Sequence, residues 1–149
     1  TLQHNPVSRL FSLKHDFAAA FNRVLHSAAG TAVAFEIGDA QLPFFLAGRA
    51  LAVEKAILGV ELAREADATG LSLVVDGGAP LPLAPQPELT GMLGAALPTT
   101  FRHNFRAEHS LTVLDGGSLK PTHALVGDPS PLSDELVRDV VFYVEFKLA

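Results

Sequence analysis

The sequence predicts a mainly β protein, an antiparallel β-sandwich with one N-terminal α-helix packed against it. Three observations point there. The chain closes on residues 136–148, L-V-R-D-V-V-F-Y-V-E-F-K-L, where Val140, Phe142, Val144, Phe146 and Leu148 share one parity and Val141, Tyr143, Glu145 and Lys147 the other. A period of two in β-branched and aromatic residues marks a strand that packs one face on a core. Other short apolar runs are separated by Gly, Pro and Asp, the punctuation of a sandwich. Near the N-terminus, Phe17, Phe21, Val24, Leu25 and Ala28 instead follow helical spacing.

Taken in order, residues 10–13 suggest a short strand, with Ser12 placed to cap a helix over 14–27. Asp16 suits the positive end of that helix and Gly30 its termination. Strands are expected at 31–37 and 70–75, with a turn at Gly38-Asp39 between them. Residues 50–64 are ambiguous: Val53, Ile57 and Val60 fit a helix, whereas Leu58, Val60 and Leu62 alternate. Helix propensity is good, but the surrounding strands favour a strand. Pro80, Pro82, Pro85 and Pro87 impose an extended edge loop with few amide donors. A helical turn is expected over 89–97, weakened by Gly91 and Gly94, then strands at 101–105 and 109–114. A loop over 129–134 leads to the last strand. One internal echo stands out: a strand runs into Asp76-Gly77-Gly78 and another into Asp115-Gly116-Gly117. Asp-Gly and Gly-Gly favour hairpins because Gly reaches positive φ, so both Gly77 and Gly116 are expected there.

A chain of 149 residues suits a single domain, residues 1–149. Apolar residues make up 48%, enough for a core, whereas charged residues make up only 18% against about 25% in an ordinary soluble domain. The uncharged surface this leaves suits coverage by partners or neighbouring domains. A net charge of −5 and the lack of any Lys/Arg cluster argue against nucleic-acid binding. No apolar run approaches the roughly 20 residues of a membrane-spanning helix, so no membrane insertion by this domain is expected. With no cysteine, disulfides and thiolate chemistry are excluded. The chain starts at Thr1, and a fragment of a larger polypeptide is expected.

Histidines are the natural metal candidates. His103, Glu108, His109, Asp115 and His123 fall within 21 residues, and if strands 101–105 and 109–114 pair, His103 and His109 would approach, with His123 on a neighbour. Imidazoles with a carboxylate suit zinc. Yet no H-E-x-x-H or matched ligand spacing is present, so surface or strand-edge histidines are the favoured account and no metal site is expected. Asp76, Asp115, Asp128 and Asp134 in loops would supply oxygen ligands for calcium, but EF-hand spacing is lacking and Asp is common in turns. For covalent catalysis there is no Gly-x-Ser-x-Gly elbow, and Ser110 beside His109 points to the opposite face of a strand. Neither Gly-Gly pair is a phosphate loop. No cofactor and no catalytic residue are therefore expected. For binding, Phe44, Phe45 and Arg49 form a candidate anchor, although at least one of the two Phe is expected in the core. Phe101, Phe105 and Tyr143 with Arg102 and Arg106 offer a sugar-stacking face, but a sandwich core with flanking arginines is the favoured account.

Several segments together resemble one family. Ser12-Leu-Lys-His-Asp-Phe17, running into a helix with Phe21 and Leu25, is similar to a recurring opening in insecticidal Tc-toxin A subunits. Leu42-Pro-Phe-Phe45 followed by Gly48-Arg49 resembles an aromatic-proline segment there, and Leu132-Ser-Asp-Glu135 resembles the approach to the final strand of those subunits. Residues 65–130 are mostly unmatched. The resemblance implies the C-terminal β-sandwich region of the A subunit, part of the platform on which the B–C cocoon docks. It further implies a non-catalytic assembly domain of a secreted or cell-surface oligomer, whose partners are other subunits or domains; a cytoplasmic location stays open. A carbohydrate- or receptor-binding sandwich and a small hydrolase or metal enzyme are the alternatives.

Overall fold

A computed structural model describes residues 7–42, 48–121 and 130–148. In chain order it contains β1 (Val7–Ser12), α1 (Leu13–Asp16), α2 (Ala18–His26), β2 (Ala32–Glu36), β3 (Leu51–Leu62), β4 (Ser72–Val75), β5 (Ala84–Gln86), β6 (Met92–Ala96), α3 (Thr99–His103), β7 (Glu108–Asp115) and β8 (Val137–Leu148). The strands form two antiparallel sheets, one of five in the order β1-β8-β3-β6-β5 and one of three in the order β2-β7-β4. The mainly β expectation therefore holds.

One core serves both sheets. Phe11, Phe142 and Phe146 from the larger sheet cluster with Val33, Phe35, Leu73, Leu111 and Val113 from the smaller. A ring contact crosses between them, Phe35 lying 5.3 Å from Phe142, and Phe101, from α3, stacks on Phe142 at 5.9 Å. The expected parity of β8 is observed, since Val140, Phe142, Val144 and Phe146 are all buried in this core. Its other parity supports a second cluster, where Val141 packs with Ile57, Leu89, Met92 and Tyr143. Because β8 lies between β1 and β3, the last strand is internal to its sheet.

The ambiguous 50–64 region is a strand, β3, as its surroundings suggested. Its residues 56–60 are all buried, with Ala56, Leu58 and Val60 in the main core and Ile57 in the second cluster. A strand covered on both faces reads as a continuous apolar run, which is why its periodicity was indistinct.

Four expectations need correction. The N-terminal helix is two pieces, broken at Phe17 (φ −139°, ψ 56°), whose ring packs 5.4 Å from that of Phe35. Its end falls at His26; Gly30, at φ +88°, donates to Val113 O and feeds the chain into β2 instead. The expected helical turn at 89–97 is a 3₁₀ turn (Pro87–Leu89) followed by β6. Gly94 permits this, because a Cβ there would overlap the Leu58 carbonyl oxygen on β3. Residues 101–105, expected as a strand, belong largely to α3, which buries Phe101 and runs on to buried Phe105. A spacing of four puts two side chains on one side of either a strand or a helix, so that pair could not decide between them.

The fourth correction concerns the Asp-Gly-Gly echo. Its two strands are not the first arms of separate hairpins: β4 and β7 pair with each other, antiparallel, so the two turns lie at opposite ends of the pair. Gly77 has positive φ (+69°) as expected, but Gly116 does not (φ −78°), and Gly117 takes the left-handed position (+56°). Beyond Gly78 the chain does fold back on β4, through Leu81 N–H to Leu73 O at 2.9 Å. The proline-rich segment ends in β5 at the edge of the larger sheet, where a strand tolerates Pro85.

Candidate functional site

Among the described residues, the side chains weighed as zinc ligands lie apart. His103 is exposed at the end of α3. His109 is 3% exposed in β7. The strand pairing that would have joined them is missing because residues 99–103 are helical. His123 and Asp128 lie outside the described residues. Asp134 is exposed, and Asp115 bonds to Gly117 N–H at 2.8 Å and pairs with Lys120 at 3.1 Å. These contacts hold the Asp115 carboxyl below the usual carboxylate range, the Gly117 amide contributing most and Lys120 next. Among the described residues no group of three or more His, Asp or Glu is placed to hold a metal ion.

His109 shares parity with buried Leu111 and Val113, the signal that could have identified it as a core residue. Its Nδ1 meets Asp76 Oδ2 at 2.9 Å and its Nε2 meets Phe105 O at 2.8 Å. A carbonyl oxygen only accepts, so Nε2 carries the proton of that bond. Asp76 also accepts from Ser110 N–H at 2.9 Å. Asp76, Thr100, Asn104, Glu108, His109 and Ser110 line a cleft of about 490 Å³. The residue types resemble a hydrolase's, but a general base needs a ring nitrogen free to take a proton from its nucleophile. Both nitrogens of His109 are occupied by the fold, and its ring stacks 4.3 Å from that of Phe101.

The candidate binding residues divide. Phe44 and Phe45 lie outside the described residues, and Arg49 is exposed just after them. Phe101 and Phe105 are buried in the core, so they form no stacking face with Arg102 and Arg106. Tyr143 is different: it lies on the outer face of the five-stranded sheet. Register places Leu10, Tyr143 and Ile57 in one row across β1, β8 and β3, with Ser8, Glu145 and Lys55 in the next. Leu10 is 52% exposed. Lys55 Nζ lies 3.1 Å from Glu88 and 3.8 Å from Glu145, and Tyr143 donates to Glu145 at 3.0 Å. The hydrogen bond from Lys55 to Glu88, reinforced by both carboxylates, raises the Lys55 pKa. Burial first, then the Glu145 bond, raises that of Tyr143. Of this row Leu10 is exposed, Tyr143 half-buried and Ile57 buried in the second cluster.

Sequence reasoning missed Asp139 altogether. Only 5% exposed, it accepts from Ser12 Oγ, from Lys14 N–H at 3.0 Å and from Val140 N–H at 2.8 Å. Nothing in its local sequence signals a partner so distant in the chain. Among the described residues no helix is long and apolar enough to cross a membrane. Comparison with known protein families, with curated proteins and with solved structures finds no match for this chain.

Proposed function

We propose that this chain is a non-catalytic protein–protein assembly domain of a larger Tc-like toxin polypeptide, secreted or carried at the cell surface as part of it. The observation that supports this reading is the outer face of the five-stranded sheet. There half-exposed Leu10 stands beside half-buried Tyr143, whose row runs inward to Ile57 in the second cluster, and the Glu88–Lys55–Glu145 charges border them. A large apolar side chain beside an aromatic with a polar tip is the usual composition of an interface centre. The low charge content of the chain agrees with a surface partly covered in an assembly. His109, bonded through both nitrogens, supports a structural use of the polar cleft.

The test is Leu10→Arg in the native polypeptide, read by co-purification with its partner subunits. Loss of about tenfold or more in affinity, with circular dichroism unchanged, is expected. Undiminished association by a folded variant would sink the reading.

A further inference from the structure

The smaller sheet offers a second surface, of a different kind. Among the described residues β2 is its edge strand, paired with β7 alone. Ala34 O accepts from the Arg23 guanidinium at 3.2 Å, so the Ala34 amide faces away from β7. By the period of two, the amides of Ala32 and Glu36 face the same way. Natural edges are commonly protected by Pro, by a bulge or by a covering segment. At the other sheet's edge β5 carries Pro85, and β4 is bonded on its outer side by Leu81. On β2 the single long bond from Arg23 is the protection seen among the described residues.

Alongside this edge runs a groove of about 420 Å³ between α2 and β2, lined by Ala18, Ala19 and Arg23 on one side and Ala34, Glu36 and Glu108 on the other. Beside Arg23 the exposed helix residues here, Ala18 and Ala19, are small and leave space along the strand. At one end Glu36 and Glu108 stand directly opposite each other on adjacent strands, both exposed. Like charges so placed repel, and no ion pair to either forms among the described residues.

We propose that β2 and this groove take an extended, Lys- or Arg-bearing segment of a partner protein, which adds to the sheet as a further strand. The outward amides of Ala32, Ala34 and Glu36 supply the backbone bonds, and alternate side chains of the guest enter the groove. A basic side chain of the guest meets Glu36 and Glu108 and relieves their repulsion. A second copy of this chain would bring another Glu36–Glu108 pair to the edge, so charge favours a cationic partner. Arg23 must swing off Ala34 O to admit the guest. This surface lies on the other sheet from Leu10, so either proposal can fail without the other.

The probe is a capped synthetic peptide, Thr-Lys-Val-Lys-Val-Lys-Thr, compared with its Glu-for-Lys counterpart and with the lysine peptide N-methylated at alternate amides. Titration of the full chain is followed by amide NMR. The lysine peptide is expected to shift the amides of Ala32, Ala34 and Glu36 and slow their hydrogen exchange. Affinity should fall about tenfold or more for the Glu peptide and for the double variant Glu36→Lys/Glu108→Lys. N-methylation should abolish binding, as should Ala34→Pro, which deletes an outward N–H that β7 does not use. Arg23→Ala should tighten it. The double variant changes only exposed side chains and decides the matter if Ala34→Pro does not fold. No shift on β2, or equal binding of the Lys and Glu peptides, overturns the proposal.

Discussion

Ser12 and Asp139, 127 residues apart, are joined by a hydrogen bond that ties the start of α1 to the last strand. Ser12 Oγ donates to Asp139 and accepts from His15 N–H at 3.1 Å, while Asp139 Oδ1 takes Lys14 N–H at 3.0 Å. Asp16 returns the bond by accepting from Ser12 N–H at 2.8 Å. The opening turn is thus capped from within by Ser12 and Asp16, and from β8 by Asp139. Asp139→Ala would strand a buried amide and a hydroxyl, at a cost of about 2–3 kcal/mol. Ser12→Ala should cost about 1 kcal/mol. In a denaturant double-mutant cycle the two should couple; strict additivity would show that the bond carries no stability.

The internal position of β8 makes its core parity the part of the sheet most sensitive to charge. Val144 is fully buried, between its register partners Arg9 on β1 and Ala56 on β3. Val144→Asp would place a carboxylate there, and a loss of about 3–5 kcal/mol is expected. A melting midpoint within a few degrees of the parent would contradict the observed parity.

Three glycines at the two turns should respond differently to alanine. Gly77 has positive φ but open space around a Cβ, so Gly77→Ala meets only the conformational cost, about 1 kcal/mol. At Gly116 a Cβ would overlap Pro131 O, and at Gly117 it would overlap Thr69 O. Both are backbone atoms that cannot rotate aside, so Gly116→Ala and Gly117→Ala should each destabilise more than Gly77→Ala. Chemical denaturation of the three variants checks the order, and a Gly77 variant that proved the least stable would reverse it.

Alkaline pH should weaken the outer face of the larger sheet. The Tyr143 pKa is raised, chiefly by burial and then by Glu145. A raised folded value means that the neutral phenol's contribution is complete below the unfolded tyrosine range and lost as pH climbs through the folded value. Lys55, also raised, acts with the same sign. Tyr143→Phe should therefore flatten the fall in melting temperature between about pH 9 and 12. Parallel curves for parent and variant would assign the alkaline loss to other groups.

Local periodicity determined much of this protein by itself: the mainly β class, the parity of β8, the apolar stripe of α2, Ser12 as a cap and the extended proline segment. Each depends on residues close in sequence, so the chain's own pattern decided it. Where one spacing served two geometries, tertiary contacts chose. Phe101 and Phe105 suit either period, and α3 follows from how they fill the core. Gly94 reads as a helix breaker, but its role is to let β6 approach Leu58. The echo of Asp-Gly-Gly could not reveal that its two strands would pair with each other. The site features were the least legible. Asp76–His109, Ser12–Asp139 and the Leu10–Tyr143–Ile57 row each join residues from distant parts of the chain. Strand order and register create these meetings, and no local pattern encodes them.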